Sequence, residues 1–399
     1  MKNFFHKDVL FSTLFVFFVM YLLRLFIFNI EFLSPIANTF KDFQFSDIYY
    51  SKLKEKHPSK LDTNIVLVNI AYNSREEIAR QIHVINQHKP AVIGLDVTFE
   101  KLKDSLTDSI LAAEIADAGN VVLAGYFINS DEGSEYFANY ITSDNQFRKN
   151  TLGGYINFPS FETEATIRYF TPKLSYKEEI HYCFAAMIAG AYDKASFEKL
   201  MKRRYASERI DYTGNIESFI VFDAEEINIS NPGLSVVEGK IVLLGFMGPD
   251  LKTKVLEDLH FTPMNPKYSG RSFPDMYGLV IHANILTTIL AGNYTLKMPF
   301  WISIVLAFIL TYFCMYFFIK YYVKWVIWYQ IIVRSLQLII SIIIVGIDIF
   351  LFSAFNFKMD AMILVIPILL SIDTLEIYEG IALWLNKRFR YKTLFVENN

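Results

Sequence analysis

Cysteine is nearly absent from this sequence, since its 399 residues include only Cys183 and Cys314. Cys314 lies within an apolar run of membrane-spanning length. The two thiols therefore cannot build a disulfide framework or a C-x-x-C metal site. An excess of charge of one sign is also lacking, because the formal net charge is −3. This balance gives no support to nucleic-acid binding.

The motifs of several enzyme classes are missing as well. The sequence contains no G-x-S-x-G nucleophile elbow, no H-E-x-x-H zinc motif and no phosphate-binding loop. The segment GFMGPD at 245–250 lacks the Gly-Lys-Ser/Thr ending that a Walker loop needs. We therefore expect neither a cofactor nor enzymatic activity.

Long apolar runs are abundant and lie near the two ends of the chain. They cover 9–29 and, approximately, 298–319, 331–353 and 359–383. Each is about long enough to cross a bilayer as a helix, so the lipid bilayer is an expected partner. For the first run, an uncleaved anchor is favoured over a cleaved signal peptide. The apolar region is longer than a signal peptide carries, and no A-x-A-like site is seen.

The distribution of lysine and arginine predicts how these helices are oriented. Lys2 and Lys7 precede the first run, Lys320 and Lys324 connect the second to the third, and a basic tail begins at Lys387. Positively charged segments remain in the cytoplasm. We therefore expect a multi-pass protein of a bacterial inner membrane, with both termini cytoplasmic and the large intervening domain extracytoplasmic.

Between the first two spans, apolar strands alternate with helical patterns. The predicted strands include 64–70, 91–97, 120–127 and 240–246, and the predicted helices include 74–88, 108–118, 179–192 and 277–290. This alternation is typical of βαβ units, and continuous apolar strands suit a sheet covered on both faces. Residues 129–150 are expected to form an exposed loop. We predict an α/β extracytoplasmic domain with a mostly parallel sheet, plus four transmembrane α-helices.

These patterns divide the chain into four parts. We expect an N-terminal stub and span over 1–30, the α/β domain over 31–297, three spans over 298–386 and a short cytoplasmic tail over 387–399.

Six polar residues of the α/β domain are candidates for binding a ligand or for organising loops. They are Asp96, Asp258, His260, Thr262, His282 and Asn284. Asp96 ends a buried strand, and ligands of open parallel sheets bind beyond the carboxyl ends of strands. Two carboxylates and two imidazoles could hold zinc or a similar ion. The alternative, in which Asp258 and His260 tie down their loop and His282 packs beneath it, is favoured, so no metal is predicted.

Ionisable residues also occur within the spans, where they are costly and are usually paired. We hypothesise that Arg24 pairs with Asp348 or Asp360. The alternative, for Arg24 and Asp360, is that these side chains reach the headgroups near the interface. Asp373 and Glu376 lie three residues apart near the inner end of the fourth span and share a helix face. They either meet a partner protein or mark where the helix leaves the membrane.

Several segments together resemble a known family. They are AVIGLDVTFE (91–100), AGNVVLAG (118–125), GGYINFP (153–159), IDYTGN (210–215), GKIVLLG (239–245), DLHFTP (258–263) and YGLVIHANILTTILAG (277–292). In order, spacing and direct continuation into three spans, they resemble the CHASE domain of the second type, the sensory extracellular domain associated with cyclases and histidine kinases. The resemblance covers the chain from the first span to the last and implies an extracytoplasmic sensory module.

This resemblance and the membrane layout lead to an expected function. The chain stops about a dozen residues after its last span, whereas relatives often continue into a kinase or cyclase domain. We expect a sensory receptor subunit that passes its signal to a separate signalling or envelope membrane protein, with a homo-oligomer also possible. The alternatives are a docking subunit of an envelope complex and a metal-dependent hydrolase using Asp258 and His260.

Overall fold

The computed structural model describes residues 4–29, 44–54, 61–129, 137–158, 166–265, 273–324 and 329–398. It divides into two compact units. One, the helical unit, consists of Met1–Tyr49 and Leu296–Asn399, and the other, the sheet unit, consists of Tyr50–Thr295.

The elements are numbered in chain order within these ranges. The helices are α1 (Lys7–Asn29), α2 (Phe45–Ile48), α3 (Arg75–Gln87), α4 (Ser105–Ala118), α5 (Phe184–Tyr192), α6 (Lys194–Met201), α7 (Gly278–Ala291), α8 (Phe300–Lys324), α9 (Tyr329–Phe355) and α10 (Ala361–Phe389). Short 3-10 helices cover Ile216–Ser218, Ala224–Glu226, Pro232–Val237 and Leu394–Asn398, and a π-helix covers Tyr49–Lys54. The strands are β1 (Asp62–Asn69), β2 (Val92–Leu95), β3 (Val121–Asn129), β4 (Phe137–Ile141), β5 (Leu152–Tyr155), β6 (Tyr169–Phe170), β7 (Lys173–Tyr176), β8 (Glu179–Tyr182), β9 (Glu208–Arg209), β10 (Phe219–Phe222), β11 (Ile241–Gly245), β12 (Leu259–His260), β13 (Met276–Tyr277), β14 (Leu296–Lys297) and β15 (Phe357–Lys358).

Among the described residues, seven strands form one sheet in the order β10–β1–β11–β2–β3–β4, with β5 also paired to β3. All of these pairs are parallel except β3 with β4. Strand β11 is the last of these seven strands in chain order, yet it lies between β1 and β2. Leu67 is therefore opposite Leu243, and Leu243 is opposite Gly94. The predicted mostly parallel sheet is confirmed.

Helices cover both faces of this sheet, as its continuous apolar strands require. One face packs against α3 and α4 through residues such as Val66 and Leu244. Side chains alternate along a strand, so the neighbours Gly94 and Gly245 face the other way. A Cβ at Gly94 would lie 2.6 Å from Ile188 of α5, and one at Gly245 would lie 2.7 Å from Leu279 of α7. The sheet is thus the middle layer of three.

Local sequence signals explain where these helices begin and end. Ser74 caps α3, accepting the Glu77 N–H while the Glu77 side chain accepts the Ser74 N–H. Asp104 caps α4 by accepting the N–H of Thr107. Helix α7 ends at Gly292, whose φ of 63° is left-handed and therefore suits glycine. This end of α7 agrees with the prediction.

Two sequence-based assignments are wrong. The expected loop over 129–150 contains the strand Phe137–Ile141, which pairs with the end of β3, although 130–136 lie outside the described residues. The expected helix over 179–192 begins only at Phe184, because Glu179–Tyr182 pairs with Lys173–Tyr176 as a hairpin. In both segments, pairing with another strand determines the secondary structure. The periodicity of the local sequence does not reveal either pairing.

In the helical unit, the four predicted spans are confirmed. Four helices within the described ranges are long and apolar enough to cross a membrane. The membrane-spanning stretches are Lys7–Leu25, Phe300–Tyr321, Tyr329–Phe355 and Ala361–Phe389. Residues 31–49 were expected in the α/β domain, but the part of them that is described belongs to the helical unit, where α2 packs against α9. A short parallel pair joins Leu296–Lys297 to Phe357–Lys358.

We predict that Gly154→Ala lowers the free energy of unfolding by about 1–3 kcal/mol, the usual cost of overpacking a core. A Cβ at Gly154 would lie 2.6 Å from Cα and 2.9 Å from N of Phe184, so the backbone of α5 must move. The adjacent Gly153→Ala is the matched control, because no atom in the described part of the chain lies within 4 Å of its Cβ position. Thermal unfolding followed by intrinsic fluorescence measures both, and equal melting temperatures would refute the prediction.

Candidate functional site

The order of the strands brings several polar residues to one edge of the sheet. Strands β1, β11 and β2 are parallel neighbours, with Asn69 opposite Gly245 and Leu244 opposite Leu95. Asp96 follows directly and donates its N–H to the carbonyl of Leu244 at 2.8 Å. The carboxyl ends of these strands therefore form the edge where ligands of such sheets bind.

Asp96 is a half-buried carboxylic acid at this edge. A Cβ at Gly245 would lie only 3.1 Å from the Cβ of Asp96, so glycine is needed for this close approach. Desolvation, followed by the like charge of Asp258, raises the pKa of Asp96 to about 7. The carboxyl group of Asp96 thus titrates near neutral pH.

Asp258 lies at the N-terminus of α7. The N–H of Gly278 donates to the carbonyl of Asp258 at 3.1 Å and to its Oδ2 at 3.2 Å. A negative charge at a helix N-terminus is favoured by the helix dipole. Asp258 has a left-handed φ of 58°, which only a minority of non-glycine residues adopt. Nε2 of His260 lies 3.4 Å from Oδ1 of Asp258, which places the imidazole beside this carboxylate.

Phe158 joins His260 to His282. Its ring meets His260 edge-on at 5.3 Å and stacks on His282 at 4.8 Å, measured between centroids. His282 is 4% exposed, and its Nδ1 has no hydrogen-bond partner among the described residues. Desolvation, followed by nearby His260, lowers the pKa of His282 to about 3, so its ring is neutral at physiological pH.

These contacts do not assemble a metal site. Within the described ranges, no group of three or more His, Cys, Asp or Glu side chains is arranged to hold a metal ion. The aromatic ring of Phe158 contacts both imidazoles, so the two histidines are packed around an apolar group. Among the described residues, the four side chains of the zinc-like set are therefore not arranged as metal ligands, and this geometry gives the metal-dependent hydrolase no support. We call Asp96, Asp258, His260, His282 and Phe158 the edge cluster.

The other two candidates, Thr262 and Asn284, hold loops. The N–H and O–H of Thr262 donate to the two carboxylate oxygens of Asp275 at 2.8 and 2.6 Å. Asn284 lies on α7, and its Oδ1 accepts the N–H of Thr213 at 2.8 Å while its Nδ2 donates to the carbonyl of Gly214 at 3.0 Å. Asn284 thus fixes the segment IDYTGN to the buried helix.

Two edge residues were not singled out from the sequence. Nδ2 of Asn69, at the end of β1, donates to Asp223 at 2.9 Å and to the carbonyl of Gly248 at 3.1 Å. The N–H of Leu251 donates to the other carboxylate oxygen of Asp223 at 3.0 Å. Asn69 and Asp223 therefore fasten the loop after β11 over the edge. Asn69 is the last residue of an apolar strand and Asp223 directly follows one, which is the same kind of signal that identified Asp96.

In the helical unit, the hypothesised pairing of Arg24 is not found. Arg24 is exposed, and no described residue forms an ion pair with it. Asp348 is buried and accepts the N–H of Met359 at 3.1 Å. Asp360 lies 3.7 Å from the ammonium of Lys358. Each acidic residue therefore has a partner close to it in the chain, and Arg24 faces outward.

Asp373 and Glu376 lie on the exposed side of α10. Asp373 forms an ion pair of 3.0 Å with Arg334 of α9, and the two side chains are 59% and 56% exposed. Glu376 is exposed and has no ion-pair partner in the part of the chain that the structure describes. Arg334 was missed from the sequence because its register against Asp373 depends on how the two helices pack.

A buried carboxylate, also missed from the sequence, joins the two ends of the helical unit. Asp8 has no exposed surface and accepts four hydrogen bonds. The donors are the hydroxyls of Tyr378, Tyr391 and Thr393, at 3.0, 2.9 and 2.9 Å, and the N–H of Leu394, at 2.7 Å. Asp8 therefore fastens the segment after α10 to the start of α1.

Comparison with known families identifies the domain. The family model of the CHASE2 domain matches residues 25–318, which is more than half of the 399 residues. The chain belongs to the CHASE2 family. CHASE2 is an extracellular sensory domain and not a catalytic one, so the chain carries a sensory domain. The resemblance read from the sequence is thereby confirmed.

The CHASE2 match includes the whole sheet unit, and with it the edge cluster, whereas α9, α10 and the tail lie beyond residue 318. No curated protein and no solved structure gives a significant match to the chain. The family identifies the domain as sensory and leaves its signal to be found from the site itself.

We predict that Asp96→Asn changes thermal stability in a pH-dependent manner. In the folded protein Asp96 keeps its proton up to a pKa of about 7, whereas the unfolded chain releases it near 4. Wild-type stability therefore falls between about pH 4 and 7, by at most ~1.4 kcal/mol per pH unit from this group, and the asparagine variant lacks that loss. The melting temperature of the variant minus that of the wild type should rise from pH 5 to pH 8.

The matched control is Asp117→Asn, on the exposed surface of α4. The melting temperature of Asp117→Asn minus that of the wild type should stay constant over the same pH range. An Asp96→Asn difference that is equally flat would show that Asp96 does not titrate near neutral pH.

Proposed function

We propose that this protein is a sensory receptor subunit of a bacterial inner membrane. It detects an extracytoplasmic signal with its CHASE2 domain and passes the signal through its membrane helices to a separate partner protein. Membership of a sensory family supports the first part. The four apolar helices support the second, because they give the sensory domain a route across a bilayer.

The observation that carries this proposal is the position of α7. Its first residue, Gly278, binds Asp258 of the edge cluster, and its last turn ends at Gly292. Eight residues later the chain begins α8, after the short strand Leu296–Lys297. One continuous helix therefore joins the candidate site to the segment that leads into the membrane.

Burial makes α7 suited to transmit a displacement. Of its fourteen residues, eleven are buried, and the side chains of Asn284 and Thr288 are hydrogen-bonded. A close-packed helix moves as a unit, because interiors are packed like crystals and do not deform continuously. A ligand at the edge cluster shifts the equilibrium between two positions of α7 only by its difference in affinity for them.

The charge distribution supports cytoplasmic termini and an extracytoplasmic CHASE2 domain, since Lys320, Lys387 and Arg388 flank the spans on one side. An impermeant maleimide added to intact cells is expected to label Tyr72→Cys, at an exposed position of the CHASE2 domain. It should label the exposed Lys392→Cys only after permeabilisation. The two native cysteines are buried and give little background. The opposite labelling pattern would contradict the proposed orientation.

The proposed relay is tested by purifying the full-length protein in a mild detergent and identifying what remains bound. We expect a signalling enzyme in stoichiometric amount. Envelope or secretion components without a signalling enzyme would favour the docking-subunit function instead. Recovery of the protein alone, in several detergents and after cross-linking in the membrane, would contradict a relay through a partner.

A further inference from the structure

Helix α10 has one buried and one exposed face. Its buried face packs against the other spans through residues without exposed surface, including Ile368, Ile372 and Leu375. The opposite face carries residues spaced three and four apart, which form one line along a helix. They are Ile366, Leu369, Asp373, Glu376 and Gly380, and all are exposed. We call this line the exposed stripe of α10.

The exposed stripe combines an apolar surface with an unbalanced charge. Arg334 of α9 pairs with Asp373 at 3.0 Å, which balances one carboxylate. Glu376 lies one turn further along and has no cation as a partner among the described residues. The stripe together with Arg334 therefore contains two acidic residues and one basic residue, a formal net charge of −1.

Glu376 lies within the span and well before its basic end. It is about 22 Å along the axis from Ala361, at 1.5 Å per residue, and about 16 Å from Lys387. The hydrocarbon core of a bilayer is ~30 Å thick, so Glu376 lies within the core, in the half nearer the C-terminal end of the helix. A carboxylate that faces lipid there is costly, and such residues commonly pair with a partner or mark a functional surface.

We propose that the exposed stripe of α10 is the docking surface for a membrane-spanning helix of the partner protein, with a lysine or arginine of that helix paired to Glu376. This inference rests on the proposed function, which requires a partner. Gly380 lies one turn beyond Glu376, and no atom of the described residues lies within 4 Å of its Cβ position. A glycine on a helix surface lets a second helix approach closely.

Charge favours a different protein over a second copy as the occupant. A copy of this chain would present the same two carboxylates and the same single arginine at the same depth. Two such stripes placed face to face would bring like net charges together, which is unfavourable in a medium of low dielectric constant. A cationic helix neutralises Glu376 and leaves the pair of Arg334 and Asp373 intact.

The test is photo-crosslinking of the full-length protein in native membranes. A photoreactive amino acid replaces Ile377, which is 57% exposed beside Glu376, and Ile342 of α9, which is 62% exposed, is the control position. We expect an adduct at 377 with a different protein, joined through a membrane segment that contains lysine or arginine. Glu376→Gln should lower the adduct yield roughly fivefold, which corresponds to about 1 kcal/mol. Glu376→Asp should retain most of it.

The remaining outcomes overturn the proposal. An adduct of the chain with itself would make the stripe a homodimer surface. Three other results would show that Glu376 does not pair with a partner helix. These are adducts with lipid alone, an adduct yield that Glu376→Gln leaves unchanged, and equal adduct yields at positions 377 and 342. A partner that is retained in the detergent purification but gives no adduct at 377 would refute the stripe and leave the proposed function standing. Melting temperatures of the Glu376 variants equal to that of the wild type show that they are folded.

Discussion

The burial of α7 is the constraint on which the rest of the sheet unit depends. Leu279, Val280 and Ile281 in its first turns have no exposed surface. A polar group on such a helix must find a partner inside the protein, because an unpaired buried group is costly. Asn284 satisfies this by fixing the IDYTGN segment. His282 does not, since its Nδ1 has no hydrogen-bond partner among the described residues.

The same constraint acts in the helical unit, where lipid replaces water around the spans. Some of the polar groups that face the interior of the unit are satisfied by other parts of the chain. Asp8 accepts four hydrogen bonds, and the amide of Gln337 donates to the carbonyl of Ile368 at 2.7 Å. The charges of Arg334 and Asp373 instead lie on the exposed side and satisfy one another. These interior polar groups are paired within the chain, whereas the exposed charges lie on the surface that we propose for docking.

Sequence periodicity predicts elements whose own residues determine them. The four spans, the core strands and the capped helices belong to this class, and the strand-end rule brings Asp96 to the correct edge. The insertion of β11 between β1 and β2 has no local signature, because it depends on contacts over long stretches of chain. The carboxylate of Asp8 was hidden for a similar reason, since its donors Tyr378 and Thr393 lie far away in the sequence. Local patterns report secondary structure, whereas these contacts are tertiary.

The energetics of the edge cluster suit a two-state element. Moving an equilibrium from 1:99 to 99:1 takes about 5.5 kcal/mol of differential binding free energy. Burial holds the pKa of Asp96 near 7 and that of His282 near 3, and each displaced pKa unit corresponds to ~1.4 kcal/mol. A change in a contact or a charge of the edge cluster therefore involves free energies of the same order as that difference in binding free energy. Because Gly278 of α7 binds Asp258 directly, such a change acts at the start of the helix whose other end leads to the membrane.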